Sequence, residues 1–353
     1  MNMYSRALFS ASAILLFGIV SAISNGELSN WYLTDTHIHA IPPGYAAALA
    51  DAGGDPSGFP TPEWSLNGTF KSLATTGSAR AVLSISTPGI PIAGTGQQAR
   101  KLCRETNNYL ASLVVEHPQR LDFFGALPDW RDVNGTLEEI DYLLMTQKKT
   151  VGVGFYTSYG DLLPGDPMFK PIWEKLESLG ALAFMHPGVT AIKPFLISDL
   201  LPQPIIDYPQ QTTRAAVDLI LRGVRSNTPN VDVILSHAGG TLPYLAERAF
   251  GSLLVPEIAN KTAIGPIEAK AQIKRFYYDT ALSDSPTQLN GLLENTDPSH
   301  VLLGTDYPYA PAEGISVSFA EYKAFSKKHP EISPEVLTRN AKKLILKHAL
   351  AEK

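Results

Sequence analysis

Five side chains able to bind a divalent cation or move a proton recur at comparable places along the chain. His37 and His39 stand two apart in the run Asp35-Thr36-His37-Ile38-His39. His186 lies in Met185-His186-Pro187, and His237 in Ser236-His237-Ala238-Gly239-Gly240. Asp306 lies in Gly304-Thr305-Asp306-Tyr307-Pro308. On an extended strand, residues two apart face the same side, so the imidazoles of His37 and His39 can share one cation. Three neutral imidazoles and one carboxylate suit Zn2+ first, with Mn2+ or Fe2+ as alternatives, ahead of Ca2+ or Mg2+. Such a site carries little net charge, which makes a water or an anionic substrate oxygen placed there reactive. Singly, each residue also has an ordinary reading. A His-x-His pair can lie on an exposed edge, His186 can be a core histidine, His237 can cap a turn, and Asp306 can cap a helix. What argues for one site is that all five arrive at the ends of similar apolar runs.

Those runs define the scaffold. β-rich apolar stretches fall at 32–39, 81–86, 121–127, 150–156, 182–186, 231–237, 275–280 and 301–306. Between them lie stretches with helical spacing, clearest at 97–117, 166–179, 212–226 and 242–254. Continuous apolar strands alternating with helices imply a parallel sheet covered on both faces. Eight of them fit an α/β fold of the (β/α)8 TIM-barrel type, in which the C-terminal strand ends build the active site. A doubly wound open sheet is the rival, but it usually carries a glycine-rich phosphate loop after its first strand. Here the first strand runs from His39 into Ala40-Ile41-Pro42-Pro43. The segment 40–78 is expected to be a long loop insertion, a lid or specificity loop. The tail 333–353 reads as a closing helix, with Ser333 as N-cap and Pro334 in the first turn. His117, His300, His329 and His348 fall in loops or helices and take structural readings.

The composition is that of a globular protein: 353 residues, 44% hydrophobic, 18% charged, with a formal net charge of −5. That excludes intrinsic disorder, and with Lys and Arg scattered it excludes nucleic acid as partner. Residues 1–22 read as a secretory signal peptide: one positive charge, an apolar run from 7, and Val20-Ser21-Ala22 as cleavage site. The run is shorter than the roughly 20 residues of a spanning helix, so a membrane enters only if the leader stays uncleaved. The sequons at Asn67, Asn134 and Asn260 agree with glycosylation and a secretory or secreted location, the cytosol being the alternative. Cys103 is the sole cysteine, so no internal disulfide forms.

Together the four motifs resemble those of the amidohydrolase superfamily, in the branch of aminocarboxymuconate semialdehyde decarboxylase and the aromatic-acid decarboxylases. The resemblance implies a metal-dependent barrel over 23–353, with His37, His39, His186 and Asp306 holding a single divalent metal. It implies that His237 stands beside the metal and assists proton transfer or substrate binding. Relatives with two metals carry a bridging carboxylated lysine at the end of strand four. Here that strand ends in Phe155-Tyr156, with Lys148 and Lys149 at its start, so one metal is expected. Arg248 follows His237 by eleven residues. In relatives such an arginine can reach a neighbouring subunit's site and bind the carboxylate, which implies a homodimer; the plain reading is a helix-surface residue.

The implied activity is non-oxidative decarboxylation of a small ortho-hydroxy aromatic acid. An example is 6-methylsalicylate, giving 3-methylphenol and CO2 in fungal polyketide metabolism. Protonating the ring carbon before CO2 leaves avoids a free aryl anion, and an ortho-hydroxyl can chelate the metal and fix the ring. Asp306 or a water at the site supplies the proton, with His237 holding substrate or relaying it. Phe59, Trp64, Tyr307 and Tyr309 are candidates for the ring's apolar walls. Hydrolysis of a lactone or amide at the same single metal is the alternative, and a non-catalytic ligand-binding barrel the third reading.

Overall fold

Eight parallel strands form one sheet in sequential order: β1 (Thr34–His39), β2 (Arg80–Ser84), β3 (Leu121–Gly125), β4 (Gly152–Tyr156), β5 (Leu182–His186), β6 (Asp232–Leu235), β7 (Tyr277–Asp279) and β8 (Val301–Leu302). The structure, a computed structural model, describes residues 33–348 apart from 263. The leader expected at 1–22, the domain boundary after it and residues 349–353 of the expected closing helix lie outside the described residues. The strands are buried on both faces, as their apolar runs require when helices cover one side and the barrel interior the other. Thr36 closes β1 onto the end of β8: its backbone N–H and its hydroxyl both donate to the Leu303 carbonyl, each at 2.9 Å. The expected TIM-type barrel is therefore the observed architecture.

The outer helices bury the faces their spacing marks out. In Gln97–Glu116, Leu102, Leu110, Leu113 and Val114 are all buried, as is Cys103. The closing helix runs Pro334–His348, and its first hydrogen bond goes from Leu337 N–H to the Ser333 carbonyl. His117 packs edge-on against Phe70, His300 stacks on Tyr277 and His329 on Phe325, all structural contacts. His348 bonds to Asp232 and to the Gly180 carbonyl, away from the active-site rim.

Three expectations are corrected. Segment 40–78 is not one long loop. It folds into helices Pro43–Asp51 and Leu66–Thr76, and the second opens on the Ser65 hydroxyl, which accepts from Gly68 N–H. Residues 52–65, between the two helices, are irregular. The helix expected at 212–226 begins nine residues earlier, as Gln203–Leu221, because Pro209 is accommodated inside it. The last strands are shorter than their apolar runs, so His237 and Asp306 stand beyond β6 and β8, not on them. Both have left-handed backbones, with φ of 55° and 65°. An extended strand cannot turn a side chain back over the barrel mouth; a left-handed residue just after it can.

Candidate active site

At the C-terminal mouth of the barrel, one ligand atom from each of His37, His39, His186 and Asp306 lies within 4.8 Å of the others, and all four residues are buried. The Nε2 atoms of His37 and His39 are 3.1 Å apart, and Asp306 Oδ1 lies 3.4 and 3.0 Å from them. The opposite ring nitrogens are engaged from outside. His37 Nδ1 meets Asp279 Oδ2 at 3.0 Å, His39 Nδ1 meets Ser84 Oγ at 2.8 Å, and His186 Nδ1 meets Thr87 Oγ1 at 3.1 Å. The Ser84 hydroxyl donates to the Ile38 carbonyl and that of Thr87 to Pro187, so both are left to accept from the histidines. The network thus assigns the proton to Nδ1 in each ring and points three Nε2 lone pairs at one place. Converging lone pairs repel unless a cation or a proton lies between them. A divalent cation fits this donor set, with outer partners orienting each ring as metal-bound imidazoles require.

The electrostatics agree. Burial pushes His186 well below the usual histidine range, helped by His39 and His37, and burial also lowers His39. Both rings are therefore neutral ligands. Burial opposes charge on His37 as well, but the Asp279 and Asp306 carboxylates outweigh it and raise its pKa to about 10. Burial likewise opposes ionisation of Asp306, yet the His37 and His39 rings beside it hold it well below the ordinary carboxylate range. The cluster therefore calls for positive charge at its centre.

His237 stands over this floor, its ring centroid 4.8 Å from that of His37. Its Nδ1 donates to the Ala281 carbonyl at 3.0 Å, which leaves Nε2 free to act as acceptor. Burial and His37 lower its pKa, so the resting ring is neutral. The strand-end motifs also support one another. Thr305 donates its hydroxyl to Asp35 Oδ2 at 2.6 Å and its N–H to Oδ1 at 3.2 Å, tying the Asp306 loop to β1. Burial of Asp35 raises its pKa to about 7. In the Gly239-Gly240 pair, a side chain at Gly240 would collide with the backbone of Pro209, and its φ is +66°.

Above the cluster opens a cavity of about 480 Å³ reached by His186, His237 and Asp306. Phe59, Tyr309, Tyr208, Ile205 and Leu282 wall it, and Asp55, Ser86 and Gln288 add polar atoms. Among the described residues no Lys or Arg lines it. Of the four aromatic candidates, Phe59 and Tyr309 line the cavity, and Trp64 and Tyr307 do not. The Trp64 indole donates to Thr69 and meets Tyr109 edge-on, pinning the loop to the outer helices. Tyr307 turns away from the cavity, its hydroxyl against Gly68. Arg248 is exposed on helix Leu242–Gly251 and does not reach its own cavity. Lys148 and Lys149 precede β4, so no lysine stands at its C-terminal end. Asn67, Asn134 and Asn260 are exposed. Asp279, Ser84, Thr87 and Tyr208 escaped sequence reasoning. An acid closing the buried run Tyr277–Asp279 was the one available signal, since an inward carboxylate demands a partner.

The family described as amidohydrolase matches residues 34–345. Among curated proteins, the chain is 41% identical over 293 residues to the Penicillium terrestre decarboxylase macB, covering 80% of this chain and 86% of that one. It is 38% identical to the 6-methylsalicylic acid decarboxylase of Penicillium expansum, with the same coverages. A dihydroxybenzoic acid decarboxylase from a Polaromonas species, solved with manganese and 2-nitroresorcinol, shares the fold: TM-score 0.69 at 19% identity, covering 90% of this chain and 97% of that one. The strand-end motifs, the barrel and the convergent ligand set agree with these likenesses, and the chain belongs to the amidohydrolase family.

Proposed function

We propose that this protein decarboxylates 6-methylsalicylate or a closely similar ortho-hydroxy aromatic acid, giving the phenol and CO2. The observation that carries this reading is a one-metal His3Asp cluster flooring a cavity with aromatic and apolar walls, with the neutral His237 poised over it. Its fungal relatives named as decarboxylases support the same chemistry: the chain is a metal-dependent aromatic acid decarboxylase.

His37, His39, His186 and Asp306 would hold a divalent cation, which would supply Lewis-acid stabilisation of negative charge on the bound substrate. Asp306, ionised at rest, takes the phenolic proton and returns it to the ring carbon bearing the carboxylate. The C–C bond then breaks, its electrons returning to the ring and oxygen as CO2 leaves. One proton taken up afterwards restores the phenol. His237, with Nε2 facing the cavity, accepts a hydrogen bond from substrate or relays that last proton. Phe59 and Tyr309 flank the ring, and Tyr309 also packs edge-on against His39, which ties wall to floor.

Zn2+ is the proposed metal from the donor set, with Mn2+ its rival. A homodimer is proposed because the cavity of one subunit has no lining cation among the described residues, while Arg248 is exposed beyond it. The leader at 1–22 and the three sequons support passage through the secretory route, which a mass shift on deglycosylation tests. The activity is tested with metal-reconstituted protein and a panel of 2-hydroxybenzoates. CO2 and phenol in equal amounts, with no water consumed, are expected. Acid release from a lactone with no CO2 from any hydroxybenzoate refutes the proposal in favour of hydrolysis.

A further inference from the structure

We infer that Asp279 is a positioning residue that locks the tautomer of metal ligand His37 and the conformation of His237 through one carboxylate. Asp279 ends β7, is fully buried, and makes three hydrogen bonds with its two oxygens. Oδ2 accepts from His37 Nδ1 at 3.0 Å. Oδ1 accepts from the backbone N–H of His237 at 3.1 Å and of Ala281 at 3.0 Å. The Ala281 carbonyl in turn accepts from His237 Nδ1 at 3.0 Å. A single side chain thus fixes one ring directly and the other twice: by its left-handed backbone, φ 55°, and by the carbonyl its ring leans on. Ser84 and Thr87 do less, since each steadies one histidine of the cluster. Room for this junction comes from Gly304, where a Cβ would meet His37 Cβ at 2.7 Å and Asp279 Oδ1 at 3.1 Å. That steric demand explains the glycine in Gly304-Thr305-Asp306.

The chemistry follows from donors and acceptors. A carboxylate facing His37 Nδ1 can only accept, so the proton stays on Nδ1 and the Nε2 lone pair is available to a cation. An amide at the same place separates the two roles of Asp279. In Asp279→Asn the carbonyl oxygen still accepts from His237 and Ala281, while the NH2 faces His37. Two facing N–H groups are relieved when His37 moves its proton to Nε2, which withdraws that lone pair from the cluster.

The inference rests on the cluster being a metal site, and a titration separates the two claims. Mn2+ binding is followed by the loss of the free-ion electron paramagnetic resonance signal for wild type, Asp279→Asn and Asp279→Ala. Circular dichroism and Tm report their folding. For Asp279→Asn, Kd is expected to rise about 10- to 100-fold. At saturating Mn2+ its kcat should fall less than that of Asp279→Ala, because the amide oxygen still anchors His237. Asp279→Ala should weaken binding and also lose about tenfold or more in kcat at saturating metal, an order of magnitude suited to a misplaced proton-transfer group. Folded Asp279→Asn binding Mn2+ within threefold of wild type would overturn the inference. Wild type that takes up no Mn2+ or Zn2+ would instead overturn the metal site itself. A second measurement needs no variant: 15N spectra of histidine-labelled, Zn2+-loaded wild type should show His37 protonated at Nδ1 and metal-bound at Nε2. A His37 bare or metal-bound at Nδ1 would refute it even if the variants fail to fold.

Discussion

Replacing Asp284 with Asn should stabilise the protein, and increasingly so as pH rises from 6 to 8. Asp284 is 7% exposed, and the Thr280 hydroxyl beside it offsets only part of the cost of burying its charge. Burial, reinforced by the charge of Asp279, raises its pKa from 3.8 to about 8. The folded protein therefore holds a proton here that the unfolded chain releases. Between pH 4 and 8 each unit of pH removes up to about 1.4 kcal/mol of stability through this group. Below the unfolded value the contribution is constant, and above pH 8 the loss is complete. From pH 6 to 8 the loss comes to between about 2 and 3 kcal/mol, since the slope halves as the folded pKa is reached. With an unfolding entropy of about 2 cal/mol/K per residue over roughly 320 folded residues, that corresponds to about 4 °C in Tm. Asn keeps the shape and removes the titration. Melting curves of both proteins at pH 6, 7 and 8, at fixed metal concentration, give the test. The difference in Tm, variant minus wild type, should grow by about 4 °C across that range. Curves that stay parallel would show that Asp284 is not a buried acid of raised pKa.

Other outcomes follow from the site. His186→Ala should lose metal and activity together, whereas His237→Ala should keep its metal and lose about 10²- to 10⁴-fold in kcat; metal analysis beside turnover separates them, and an active metal-free His186→Ala protein would refute the ligand assignment. Phe59→Ala should raise KM for a hydroxybenzoate, since Phe59 walls the cavity, while Trp64→Ala should leave KM unchanged and lower Tm, since Trp64 pins a loop outside it. Steady-state kinetics with thermal melts decide this pair, and a raised KM in Trp64→Ala would place that ring at the substrate. Gly240→Ala should cost about 1–3 kcal/mol or more, because the left-handed backbone and the Pro209 contact both oppose a side chain; denaturant unfolding measures it.

Much of the site was legible because ligand chemistry is carried by residue type and strand periodicity. His37 and His39 face inward together because they are two apart on β1, and His186 closes β5 where its apolar run ends. Walls and supports were less legible. Nothing local distinguishes Phe59, which reaches the cavity, from Trp64, which finds Thr69 and Tyr109 on the other side of its loop. Tyr307 and Tyr309 are likewise two apart, yet only Tyr309 enters the cavity. The two helices within 40–78 were masked by a Gly-, Pro- and Ala-rich composition, and Pro209 disguised the start of its helix.

By itself the sequence determined the class of fold and the five candidate side chains at its strand ends, because alternating apolar runs admit few architectures and imidazoles at strand ends admit few roles; the four-ligand set and its single metal were implied by the resemblance to the amidohydrolase branch. Only the tertiary structure decided how the set works. The 3.1 Å approach of two Nε2 atoms and the left-handed turns that aim His237 and Asp306 depend on distant chain segments meeting at the barrel mouth. So does the junction at Asp279 and the Asp35–Thr305 tie, which joins residues 270 apart. Hydrogen bonds between residues so far apart are set by closure of the barrel, and no local pattern encodes their partners.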